Sequence, residues 1–314
     1  MVNYLRMLAL RIIGIFASCQ SEIIDDVQKE VTAEEFPYKI NNSRNVLSSR
    51  VSYINRTATI KPVISGLTDR GVFAKTENVN GAQELYYWEH VAEVAPLVVD
   101  GKTLSATHIT IQDNNAYVSY HKQGNEHIGA VEILDLSNPN FPEIISQATF
   151  LKSDINAITS DFQGNVSSRK VWLAMSDATH GAQLYQLETN NGLFTEDFKR
   201  VNLSNIIEGS GVSASANGIA VTNNYLYVTS GKTYGGTVQL NKNDLTAISS
   251  ESYANAKYVA VNGTENSSSL VSLITGDNAK IKVDNVKNGL SSNTYDIGEI
   301  FHQNVIETYR GKST

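Results

Sequence analysis

Between residues 105 and 299 apolar and polar positions alternate in short runs, and the runs recur in a fixed order. The period is two, and each run is bounded by Gly, Asn, Asp or Ser, which predicts half-buried β-strands. No helical period is sustained along this stretch. Four segments align as first strands: "ATHITI" (106–111), "INAITS" (155–160), "ANGIAV" (216–221) and "AKYVAV" (256–261). Each is followed by a second strand, "AYVSYH", "KVWLAM", "YLYVTS" or "SLVSLI". A third strand opens on Gly in three copies, "GAVEILDL" at 129, "GAQLYQLE" at 181 and "GGTVQLNK" at 235, and reads "AKIKVDNV" at 279 in the last. A turn and a more polar fourth strand close each unit.

The first strands start 49, 61 and 40 residues apart. A unit of three or four antiparallel strands at roughly 40–50-residue spacing fits a β-propeller blade with loop insertions. One small twisted sheet cannot bury both faces, so neighbouring sheets must stack. A two-sheet sandwich also uses short alternating strands, but it does not predict this repeated order. The stretch "NNAYVSYHKQGNEHIGAVEILDLSNPNFPEI" (114–144) resembles an LVIVD repeat, with "VEILD" as its core and "LSNPNFPEI" as its turn. The other copies keep the strand order and lose the Asp–Pro turn. The resemblance implies a β-propeller of secreted or cell-surface bacterial proteins, and it carries no shared catalytic residues.

Residues 50–100 read as an earlier blade, because "NGAQELYYWE" (80–89) echoes "HGAQLYQLE" (180–188) and "HVAEVAPLVV" supplies an outer strand. The expectation is therefore an all-β chain of about five blade-equivalents. At the far end "VIETYRGKST" (305–314) echoes "APLVVDGKTLSAT" (95–107), the lead-in to a further first strand. Either the tail fills a gap in a five-blade ring or the chain is a fragment of a larger propeller, and a fragment or open ring is preferred. An open ring leaves an unpaired surface, which is its physical difficulty.

Composition adds the cellular setting. With 41% hydrophobic residues the chain can bury a sizeable core, and only 18% are charged. The formal charge of −7 comes without a concentrated basic face, so nucleic acid is not an expected partner. The single Cys excludes an intrachain disulfide and a cysteine zinc cage. Residues 1–18 hold Arg6 and Arg11, then "IIGIFAS", directly before Cys19. A basic start, a short apolar core and small residues describe a signal peptide. "FASC" resembles the lipobox of bacterial lipoproteins, with Phe16 and Arg11 as departures from it, and the resemblance implies acylation of Cys19. Residues 19–48 are polar and aperiodic, as in a flexible tether, and 49–314 are assigned to the propeller.

In a propeller, equivalent positions converge around the axis. The residues entering the four first strands, Thr107, Asn156, Asn217 and Lys257, are all polar. They form a candidate ligand site at one channel mouth, with Lys257 as its anion-binding member. His108, His121 and His127 fall within twenty residues but on different strands or loops, with no carboxylate at a ligand-like offset, so no metal or other cofactor is expected. No nucleophile elbow, phosphate loop, dinucleotide fingerprint or H-E-x-x-H motif occurs. Tyr86, Tyr87 and Trp88 suggest a sugar-stacking platform. The mouth contains no carboxylate for acid–base work, Asp154 and His108 being the nearest titratable groups. These features point to a non-catalytic binding or scaffolding lipoprotein of the bacterial outer membrane, recognising a protein or glycan. The alternative is a polysaccharide hydrolase or lyase acting at the same mouth.

Overall fold

The computed structural model describes residues 38–60 and 86–296, apart from 164, 166, 208–214, 232–233, 263–268, 275–279 and 286–290. The signal-peptide assignment, Cys19 and the tail at 305–314 lie outside these residues. Strands β1 (Tyr38–Asn41), β2 (Val51–Ile60), β3 (Tyr86–Val94), β4 (Val98–Val99) and β5 (Lys102–Thr103) come first, with a short helix α1 (Arg44–Ser48) between β1 and β2. The first repeat supplies β6 (Ser105–Gln112), β7 (Asn115–His121), β8 (Gly129–Asp135) and β9 (Glu143–Phe150). The second supplies β10 (Ser153–Ser160), β11 (Lys170–Asp177), β12 (Gly181–Asn190) and β13 (Leu193–Asn202). The third supplies β14 (Ala216–Val221), β15 (Tyr225–Ser230), β16 (Gly236–Asn241) and β17 (Ala247–Ser252). The fourth supplies β18 (Ala256–Asn262), β19 (Ser269–Ile274), β20 (Lys280–Asn285) and β21 (Ser291–Asp296).

Each repeat is one antiparallel meander, so the strand order read from the sequence is the strand order in space. The described residues are all-β apart from short helical turns; they form four such sheets, and none of these closes on itself. Successive sheets meet through their first strands: β10 lies against β6 and β7, β14 against β10 and β11, and β18 against β14 and β15.

Burial explains why second strands read as nearly unbroken apolar runs. On β11, Val171, Leu173 and Met175 join the core shared with the first sheet. Trp172 and Ala174 join the core shared with the third. A strand covered on both faces needs apolar residues at both parities. The Trp172 indole still finds a partner, donating to Gln186 Oε1 at 3.1 Å. On β15, Leu226 and Val228 face the second sheet while Tyr227 meets Val259 and Val261 of the fourth. Each fully buried Val, Leu or Ile contributes roughly 1.5–3 kcal/mol.

The amino-terminal part differs from the sequence expectation. Residues 38–48, assigned to the tether, are folded onto the first sheet: β1 extends it as a fifth strand along β9. Tyr38 stacks on Phe150, and Leu47 is buried with Val51 and Ile144. These apolar anchors are too widely spaced to show as a periodic pattern. Residues 50–100 were expected to make a further blade. Their described part forms a two-stranded ribbon, β2 with β3, and a small β4–β5 hairpin. "NGAQEL" (80–85) lies outside the described residues, as do the side chains of Tyr86, Tyr87 and Trp88.

Candidate functional site

All four candidate ligand residues occupy one structural position. The ladder between first and second strands slips by one residue at Thr107, at Asn156, at Asn217 and at Lys257. Each is the extra residue of a β-bulge, a device that re-aims a side chain away from the pleat.

In three copies the re-aimed group reaches into the next sheet. Thr107 Oγ1 donates to the Ile155 carbonyl at 2.7 Å. Asn156 Nδ2 donates to the Ala216 carbonyl at 2.7 Å, and Asn217 Nδ2 to the Ala256 carbonyl at 2.7 Å. The acceptor is in every case the residue just before the next bulge. The series is therefore a staple repeated between sheets 1 and 2, 2 and 3, and 3 and 4. Lys257, the fourth member, is exposed, and its Nζ stands 5.9 Å from the Tyr258 ring centroid. Thr107, Asn156 and Asn217 lie in succession along the stack, and each bonds to the backbone of the next sheet.

A polar network surrounds the staples. His121 Nδ1 lies 3.1 Å from Asn156 Oδ1. Asn156 Nδ2 also donates to Ser176 Oγ at 2.8 Å and to Ser215 Oγ at 3.2 Å, and Ser215 Oγ donates to Asn217 Oδ1 at 2.6 Å. At the edge of this network His127 Nδ1 stands 3.0 Å from Asp154 Oδ2, and Asp154 Oδ1 accepts the Ile128 amide at 3.2 Å. Burial pushes the Asp154 carboxyl above the usual carboxylate range, and His127 and His121 only partly offset it. Burial likewise lowers the His108 imidazole, whose Nδ1 faces the Ile158 amide at 3.5 Å. His108, His121 and His127 are thus engaged with three different partners. Among the described residues no group of three His, Cys, Asp or Glu side chains is arranged to hold a metal ion.

Asp177, at the end of β11, was not singled out from the sequence, although "SDATHG" (176–181) has the form of an Asx turn. Its Oδ1 accepts the Thr179 amide at 2.9 Å and the His180 amide at 2.8 Å, and lies 3.0 Å from His180 Nδ1. Oδ2 accepts from Ser153 Oγ at 2.8 Å. Burial by itself would raise this carboxyl, but those hydrogen bonds outweigh it and hold the group below its ordinary value. A carboxyl lowered on folding stabilises the fold above its unfolded pKa of about 3.9. That contribution is lost as pH falls through the lower folded value. Asp177→Asn should therefore destabilise the protein at pH 6 and flatten the loss of stability below about pH 4. Urea unfolding across pH 2.5–7 checks this, and parallel curves for the two proteins would refute it.

Ionic contacts tie the opposite parts of the stack. Buried Arg169 pairs with Asp113, joining sheets 2 and 1, and buried Lys282 pairs with Glu251, joining sheets 4 and 3. Buried Lys242 binds Asp161 Oδ1 at 3.1 Å and Gln163 Oε1 at 2.9 Å, joining sheets 3 and 2.

No protein-family model matches this chain, and no curated protein does. Among solved structures it is similar to an exo-β-1,3-galactanase from Clostridium thermocellum, with 11% identity and a TM-score of 0.40 over 60% of this chain and 47% of that one. It is also similar to a subtype N10 neuraminidase-like protein of A/little yellow-shouldered bat/Guatemala/060/2010, with 11% identity and a TM-score of 0.38 over 69% of this chain and 74% of that one. The chain therefore spans about half the length of the galactanase.

Proposed function

We propose that this chain is a β-propeller-type binding or scaffolding module of the bacterial cell envelope, held to the outer membrane through an acylated Cys19, and that it recognises a protein or a glycan without catalysis. The observation that carries the reading is the repeated staple. The polar residues that a propeller would gather at its channel mouth are engaged between sheets, with Thr107, Asn156 and Asn217 each bonded to the next backbone. Stacked repeats of this kind present extended surfaces suited to recognition. Anchoring is supported by the sequence alone, through the basic start, the short apolar core and "FASC" ahead of Cys19.

One observation favours the second reading, a polysaccharide hydrolase or lyase. A half-buried carboxyl with a raised pKa beside an imidazole, Asp154 with His127, is a pairing suited to proton transfer.

The test is binding and turnover of the full-length protein on an array of bacterial envelope polysaccharides and envelope proteins. The proposal expects saturable binding with no release of reducing ends, unchanged in Asp154→Asn. Time-dependent release of sugar that Asp154→Asn abolishes would replace the binding reading with the enzymatic one. In cells fed a fatty-acid analogue, wild-type protein should be labelled and Cys19→Ala should not. Equal labelling of both removes the anchor from the proposal.

A further inference from the structure

The two ends of the sheet stack are complementary. At each joint between neighbouring sheets, the first strand of the later sheet presents apolar side chains back to the earlier one, and the first strand of the earlier sheet sends a bulged polar side chain forward.

The backward-facing positions lie two and four residues past the bulge. In sheets 2, 3 and 4 the first of them is Ile158, Ile219 and Val259, each packed into the core shared with the preceding sheet. Val221 and Val261 repeat this at the second position. In sheet 1 the equivalents are Ile109 and Ile111, which are 56% and 60% exposed. Their ladder partners are Val118 and Ala116. Leu97, Val99 and Leu104 cover Val118, and among the described residues this cluster includes no side chain of β6. Ala106, which precedes the first bulge, stands where Ile155, Ala216 and Ala256 accept the staple in later sheets.

The forward-facing side ends in the same way. The residue just past the bulge faces the next sheet. Ala157 lies in the core shared with sheet 3, and the backbone at Gly218 is so near sheet 4 that a Cβ there would stand 3.0 Å from the Val259 nitrogen. The last equivalent, Tyr258, is 50% exposed beside the exposed Lys257. One end thus presents two isoleucines and a staple acceptor position. The other presents an aromatic ring and a staple donor.

We propose that a second copy of this chain occupies these ends, so that two chains close one ring of eight sheets. Sheet 4 of each copy stacks on sheet 1 of the other, with Lys257 donating to the Ala106 carbonyl and Tyr258 lying over Ile109. The joint is heterologous and occurs twice, and a rotation that closes after two copies gives a finite dimer. Eight sheets fall within the range of known propellers. The inference rests on the propeller reading above, and its experiment separates the two.

Full-length Cys19→Ala protein, free of other thiols, is examined by sedimentation equilibrium. Twice the monomer mass is expected at micromolar concentration, with Ile109→Asp or Lys257→Asp weakening association by at least about tenfold. Both positions are exposed in the single chain, so the variants should retain the parent's far-ultraviolet circular dichroism. Adding Ala106→Cys and Lys257→Cys should give a disulfide between chains on oxidation, which requires Cα atoms within about 7 Å. An intrachain disulfide in a monomer would keep the propeller and overturn the second copy as its closure. A monomer without it, an assembly larger than two, or a dimer that leaves both thiols free also overturns the proposal. None of these outcomes depends on whether the array finds a ligand.

Discussion

Arg50→Met is expected to destabilise the protein by about 3–5 kcal/mol, because it strands a carboxylate inside the fold. Glu132 lies on β8 with its side chain fully buried, and its Oε1 accepts from the Arg50 guanidinium and from Gln147 Nε2 at 2.7 Å. Arg50 Nη2 also donates to the Ala95 carbonyl at 2.9 Å, while the Ala95 amide returns a bond to the Arg50 carbonyl at 2.9 Å. One arginine therefore joins the start of β2, the end of β3 and the first sheet. The Tyr120 phenol in the same pocket is raised by burial and then by Glu132. Removing the cation leaves Glu132 to be neutralised or to let water in, and releases the β2–β3 ribbon from its clamp. Replacing both members of the pair, with Arg50→Met and Glu132→Leu, should recover much of the loss, since a pair removed together leaves no orphan charge. Urea unfolding of the two single variants and the double variant checks this. A double variant as unstable as the sum of the singles would show that the residues act independently.

The strand order was legible because each sheet is a local meander, and neighbours in sequence are neighbours in space. The nearly unbroken apolar run "VWLAM" was read only as a second strand, and its cover on both faces, Trp172 packing against one sheet and Leu173 against another, is what the structure adds. The four residues Thr107, Asn156, Asn217 and Lys257 were legible as equivalent, because their place at the head of an alternating run repeats. Their work was not legible. A polar residue at that place reads as a ligand group by its type, and only the register of the ladder shows that it is also the extra residue of a β-bulge. The amino-terminal strand was missed for another reason. Tyr38 and Leu47 meet Phe150 and Ile144 about a hundred residues away, and no local pattern encodes such a partner. The pairing of Glu132 with Arg50 is hidden in the same way, since in "GAVEILD" the glutamate occupies a position that alternation reads simply as polar.

Glycine at the head of the third strands shows how one sequence sign can have several physical causes, and it gives the other large expected effect. At Gly129 an added Cβ would stand 2.6 Å from the Ser153 carbonyl oxygen, where the first sheet passes the second. At Gly236 the obstacle is inside one sheet: the Cβ would stand 1.8 Å from the Glu251 carbonyl oxygen and 2.8 Å from its carbon. Both atoms belong to the backbone of β17, so a change of rotamer gives no relief. Gly236 faces Ser252 in the ladder, and Glu251 carries the ion pair to Lys282 of the fourth sheet. Moving β17 aside therefore strains the joint between sheets 3 and 4 as well as the strand pair itself. Gly236→Ala should lower stability by about 3 kcal/mol or more, at the upper end of overpacking substitutions. Gly236 also has a φ of +155°, so Gly192→Ala serves as the control for conformational cost alone, because Gly192 has a φ of +76° and nothing within 4 Å of an added Cβ. That control should lose only about 1–2 kcal/mol, the cost of placing an L-residue in the left-handed region. Thermal melts of the two variants side by side check the contrast. Equal losses would mean that β17 yields to the added methyl without disturbing the sheets beyond it.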